Sequence, residues 1–272
     1  MKTLKFIIPV IFLAMGTIFY ACEKEEAELQ QTEEISQEVL EKLESLHFNT
    51  SDVSFGTVEL PDGSEFNAYI IEGDIAMTAE QLEAMKVLDI REKQYRTYNL
   101  VTNNQTIDVI GYTGSGNALS SKMQTALQWA INNYNRLDLG LHFNLTFGTD
   151  YQSKDIVVYQ VSGPAGGMAG FPDGGAPYKW VQIFSGLESY DTNVIEHVIT
   201  HEIDHCVGLR HTDWATRASC GGPGEDANPY GAVHIPGTPT GYDASSLMKA
   251  CFNGSEDGEF GHYDEVALEY LY

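Results

Sequence analysis

The sequence predicts an α+β fold: a mixed sheet with helices packed on it, followed by a loop-rich C-terminal part. Three observations carry this. Short runs of alternating or β-branched and aromatic residues recur through the chain, two longer segments place apolar residues at helical spacing, and the stretch 212–244 has no periodicity. Taken in order, Ile35, Val39, Leu43 and Leu46 form one helical stripe, with Thr32 as the expected cap. FGTVELPDGSEFNAYIIEGDIAMT reads as a hairpin turning at PDG, and AEQLEAMKVL as a short helix. REKQYR, 91–96, is a basic stretch that a trypsin-like protease could cut. From about Thr97 the texture changes. QTIDVIGYT is a strand, and 119–137 a helix carrying Met123, Leu127, Ala130, Ile131 and Tyr134 on one side. LHFNLTFGT, DIVVYQV and YKWVQIF are strands, with the Gly/Pro-rich turn GGMAGFPDGGAP before the last. Asp191 or Thr192 starts a helix through VIEHVITHEIDHCVGL that stops at Gly208, and YDEVALEYLY is a C-terminal helix.

The chain has 272 residues and a formal net charge of −24, with much of the acidity in EKEEAELQQTEEISQEVLEKLE. Such a charge opposes binding to nucleic acid, and opposes attraction to anionic membranes by charge alone. The first residues read as a bacterial secretion signal: Lys2 and Lys5, an apolar run, then Ala21-Cys22. A Cys after a small residue at that point resembles a lipobox, which implies lipidation of Cys22 and anchoring to the outer membrane, surface-exposed or released. The alternative is an ordinary signal with an accidental Cys. With Cys22 lipidated, Cys206, Cys220 and Cys251 allow one internal pair. Cys220–Cys251 is favoured, Cys206–Cys251 is the rival, and no CxxC pattern is present. The expected division is a signal peptide (1–21), a lipidated tether with a small α/β segment (22–96) and a larger C-terminal domain (97–272).

HEIDHCVGLRH, 201–211, carries the chemistry. Residues four apart share a helix face, so His201 and His205 can bind one ion, and Glu202 beside them can hold a water without ligating the metal. A straight helix would carry His211 away. Gly208 can end it with positive φ and swing His211 back to the same ion. Three imidazoles with one open position describe a catalytic zinc site rather than a closed structural one. Zinc lowers the pKa of a bound water to roughly 7, and Glu202 then serves as general base. Chance coincidence of these five positions is on the order of 10⁻⁴ at ordinary residue frequencies. His197, His234 and His262 are read as structural.

HExxHxxGxxH resembles the metzincin zinc peptidases, and SSLM, ending in Met248, matches their Met-turn. More narrowly, HEIDHCVGLRHTDW, HIPGTPTGYD, LMKACF and DGEFGHYDEVALEYLY resemble the bacterial dual-action HEIGH metallopeptidases over most of 97–272. The resemblance implies a metzincin-like zincin domain with a twisted mixed sheet, two long helices, one of them the active-site helix, a Met-turn and a C-terminal helix. It implies a secreted zinc metalloendopeptidase acting on proteins or peptides, expected as a monomer. Three positions depart from related patterns. Asp204 replaces the Gly of the name-giving motif, Ala250 stands where astacins and serralysins carry Tyr, and Thr212 stands where astacins carry Glu. Asp204, off the metal-facing edge, should alter packing more than chemistry.

EGDI, 72–75, resembles the zymogen segment of astacins and assigns Asp74 to the zinc's open position in a latent form, where a carboxylate can displace the catalytic water. A plain Gly-Asp turn is the alternative. Either AGGMAGFP or YKWVQIF could be the edge that pairs with an extended substrate. HIPGTPTGYD is expected to line the specificity pocket. The acids at 256–259 could hold calcium but match no full loop pattern. Two other functions remain: a non-catalytic surface-binding lipoprotein on a metzincin scaffold, which would have no use for Glu202, and a zinc hydrolase of a non-peptide amide.

Overall fold

In the computed structural model, residues 35–85, 96–214, 216–222, 235–239 and 242–272 are described. Helix α1 (Gln37–Ser45) starts later than the stripe suggested, because Ser36 Oγ accepts from Val39 N at 3.3 Å; Thr32 lies outside the described residues. Strands β1 (Ser54–Glu59) and β2 (Glu65–Ile71) form the expected hairpin. Its PDG turn is closed by Asp62, whose carboxylate accepts from Ser64 N, and by Gly63 at φ 79°. The chain then reverses again. Strand β3 (Ile75–Met77) pairs antiparallel with β2, so the hairpin is a three-stranded sheet of order β1-β2-β3. Glu72-Gly73-Asp74 is the tip between β2 and β3, with Glu72 at φ 57° and Gly73 at φ 92°. Helix α2 (Ala79–Ala84) follows, with Thr78 and Gln81 as a reciprocal capping box.

The larger sheet has the order β5-β4-β6-β8-β7, built from β4 (Gln105–Tyr112), β5 (Leu141–Gly148), β6 (Ile156–Val161), β7 (Gly167–Met168) and β8 (Trp180–Phe184). Four strands run parallel, and β7 pairs antiparallel with β8. The Gly/Pro-rich turn region therefore contains an edge strand of this sheet, bridged by Ile75 of β3 at Ala169, and YKWVQIF lies inside the sheet. Helices α3 (Ser121–Arg136) and α4 (Thr192–Cys206) pack together over the sheet, with Met123, Leu127, Ile131 and Tyr134 meeting Ile195, Ile199 and Ile203 in one core. Every residue of α4 from Val194 to Cys206 is buried. A helix covered on all sides is held rigidly, which suits a scaffold for ligands.

Helix α4 ends at Cys206, and Gly208, at φ 109°, turns the chain; a Cβ there would meet Asn99 O at 3.0 Å and Leu100 Cδ2 at 2.9 Å. Helix α5 (His262–Leu271) closes the chain against the same core through Ala267 and Leu268. Of the basic linker, only Arg96 is described; it bridges to Leu209. Among the described residues no helix is long and apolar enough to cross a membrane.

Candidate metal centre

The turn at Gly208 brings together what the sequence separates. His201 Nε2 and His205 Nε2 each lie 3.2 Å from His211 Nε2. A fourth donor comes from the β2–β3 tip: Asp74 Oδ2 is 3.0 Å from His211 Nε2 and 3.6 Å from His201 Nε2. The four donor atoms all lie within 4.8 Å of one another. For an ion held at about 2.0–2.1 Å, the distance imidazole nitrogens adopt around zinc, tetrahedral coordination separates donors by roughly 3.3–3.4 Å. The set therefore fits a tetrahedral cation in donor chemistry and in spacing.

The opposite ring nitrogens fix the tautomers. His201 Nδ1 donates to Leu247 O at 3.0 Å, His205 Nδ1 to Leu209 O at 2.8 Å, and His211 Nδ1 to the Glu72 carboxylate at 2.7 Å. With Nδ1–H engaged, each Nε2 faces inward and becomes a ligand atom when it carries no proton. Burial pushes His205 well below the usual imidazole range. Burial also depresses His211, but Asp74 and Glu72 outweigh it and raise the ring to about 10. The protein thus concentrates negative potential where a cation would sit.

Glu202 is buried, and its Oε2 has no hydrogen-bond partner among the described residues; the same holds for Asp74 Oδ1. Burial, then the Asp74 charge, holds the Glu202 carboxyl well above the usual carboxylate range. Both acids line a cleft of about 430 Å³ whose walls include Gly167, His197, Tyr190 and Phe252. None of the described residues of 235–243 lines it, and Ile235 packs in a small cavity with Met248 and Asp264; Thr240 and Gly241 lie outside the described residues. The wall beyond the histidines comes from Lys249–Phe252, because the disulfide Cys220–Cys251 fastens that segment to the loop carrying Arg217. Cys206 is a buried free thiol.

Met248 is buried, and its carbonyl accepts from Thr212 N at 2.8 Å, which ties the residue after the third histidine to the Met-bearing turn. Asp204, the departure from the name-giving motif, is buried and accepts from Tyr134 OH at 2.7 Å, so it packs against α3 and not against the donors. Lys249 pairs with Glu256 at 3.0 Å and Arg136 with Glu259, so those acids of the suggested calcium turn are committed to protein partners. Cys22 and His234 lie outside the described residues. Sequence reasoning missed Glu72, since a Glu before Gly-Asp in a turn carries no chemical signal until His211 is seen beside it.

A buried carboxylate beside convergent imidazoles, opening on a cleft with a sheet edge, is what a metal-dependent peptidase requires. Residues 69–272 match the dual-action HEIGH metallo-peptidase family, and the chain belongs to that family. The match begins within β2 and takes in the tip that carries Asp74. No curated protein matches the chain. Two solved structures of myroilysin are similar to it, one at 13% identity, covering 61% of this chain and 79% of that one with a TM-score of 0.39. The other is 15% identical, with coverages of 62% and 83% and the same TM-score of 0.39.

Proposed function

We propose that this metallopeptidase is a zinc endopeptidase made in a latent form, with 97–272 as the catalytic part and 22–96 as a tether and inhibitory prosegment. The observation that carries the reading is Asp74 Oδ2 in the fourth corner of the donor set, beside a buried Glu202 with an unpartnered oxygen. His201, His205 and His211 would hold zinc, which supplies Lewis-acid polarisation of a carbonyl and acidifies water. Glu202 takes the proton of the attacking water and passes it to the leaving amine. Burial and then the Asp74 charge raise the Glu202 carboxyl, and withdrawal of Asp74 removes the second of these causes. The peptide backbone is aligned by the edge at Gly167–Ala169. In the latent chain β3 takes that edge: Ala76 N donates to Ala169 O at 2.6 Å, and Ala169 N to Asp74 O at 2.9 Å. Tyr190, Val198 and Phe252 give the cleft an apolar side. Export, lipidation at Cys22, attachment to the outer membrane and a monomeric state complete the proposal.

The test compares the full chain as wild type, Asp74→Ala and Glu202→Ala on a proteome-derived peptide library, before and after cutting with trypsin. Wild type should be silent until cut, Asp74→Ala active without cutting, and Glu202→Ala silent throughout. An Asp74→Ala chain no more active than uncut wild type would sink the latency. Equal cleavage by Glu202→Ala and wild type would sink the assigned base.

A further inference from the structure

We infer that Glu72 positions His211 in the latent chain, so that the prosegment retains the metal as well as covering it. The inference rests on the latent zinc peptidase proposed above. His201 and His205 donate their Nδ1 hydrogens to Leu247 O and Leu209 O, backbone acceptors that belong to the catalytic part. His211 alone depends on a group from before residue 96: the Glu72 carboxylate, at 2.7 Å. The tip therefore grips one ring from both ends, with Asp74 at Nε2 and Glu72 at Nδ1.

Glu72 is itself a built site. It is 1% exposed, and its Oε1 accepts from Asn49 N at 3.0 Å and from Arg210 Nη2 at 3.3 Å. Arg210 also donates to Leu46 O and His47 O, and its guanidinium lies 4.0 Å from the centre of the Phe48 ring. The Glu72 backbone sits in the left-handed region, φ 57°, uncommon for a residue with a side chain, and its carbonyl accepts from Arg217 Nη1 at 3.0 Å. These contacts hold a carboxylate where it orients the imidazole and strengthens it as a donor; losing such a partner typically costs 10–100-fold in metal affinity.

The test uses the full chain loaded with zinc and follows zinc release to an excess of chromophoric chelator. Glu72→Gln should release zinc about 10–100-fold faster than wild type, and Glu72→Asp, which keeps the charge on a shorter stem, should fall between. Glu59→Ala, on β1, which loses the side-chain hydrogen bond from Asn117, should release at the wild-type rate. In the cobalt-substituted chain the visible bands should shift for Glu72→Gln and not for Glu59→Ala. Release from Glu72→Gln at the wild-type rate, or equal acceleration by Glu59→Ala, would overturn the inference. A wild-type chain that binds no zinc would overturn the proposed function with it, so the two failures are distinguishable.

Discussion

Gly167 faces Glu202, the carboxylate proposed as the base, and replacing it with Ala tests whether Glu202 acts from the position seen here. An added Cβ would lie 2.6 Å from Glu202 Oε1, 2.7 Å from Cγ and 2.9 Å from Cδ. Ordinary contact begins near 3.4 Å, so the carboxylate must retreat by 3.4 − 2.6, about 0.8 Å. The backbone cannot share the movement, because α4 is buried throughout and Gly167 is paired with Ile183 in the sheet. A displacement near 1 Å at a reacting group costs on the order of 100-fold in rate, about 2.7 kcal/mol in the barrier. The three atoms nearest the new methyl all belong to Glu202, so metal content should stay at the wild-type level. The assay is kcat/KM on one peptide after the prosegment is cut, with metal stoichiometry measured on the same samples. A methyl on the sheet edge could also obstruct substrate, which would raise KM, whereas a displaced base lowers kcat with KM unchanged, so the two constants are measured separately. An unchanged kcat, or a loss carried by KM alone, would refute the placement of the base.

Cys220 and Cys251 close a loop with a sequence separation of 31, so replacing both with Ser should cost about 3–4 kcal/mol by chain entropy; urea unfolding of the oxidised wild type and the variant checks this. Glu196 is raised to about 7 by burial and then by Glu259, while Asn133 donates to its Oε1 at 2.9 Å. Because the folded value lies above the usual 4.5, its contribution to stability is full below about 4.5 and is lost as pH rises through about 7. Glu196→Gln keeps the acceptor for Asn133 and should therefore be more stable than wild type at pH 8, by up to about 3 kcal/mol, with the gap closing below pH 4.5. Melting curves across that range decide it, and a variant less stable than wild type at pH 8 would contradict the assignment.

Much of the metal site could be read along the chain because its geometry is local. His201 and His205 share a face by helix periodicity alone, and Gly208 announces the reversal through the one backbone state that a side chain disfavours. The β-strands and α3 were readable for the same reason, since period 2 and period 3.6 are properties of short windows. The start of α1 was misplaced by four residues because Thr32 and Ser36 are both competent caps, and only the Ser36–Val39 bond distinguishes them.

What tertiary structure decided involves partners distant in sequence. Which segment forms the sheet edge depends on strand order, a global property that places β7 outside β8. Asp74 could be singled out from a resemblance, but its approach to His211 spans 137 positions and depends on β3 docking against Ala169. Glu72 was invisible for a stronger reason. A glutamate beside a turn is ordinarily a solvated charge, and only the packing of Phe48, Arg210 and His211 around it makes it a buried acceptor behind a metal-binding ring. The sequence by itself brought out His201, Glu202, His205 and His211 together, because their spacing is written in one helix and one turn. The tertiary structure decided what closes the site and what lines its cleft, because those depend on surfaces that meet only after the sheets have formed.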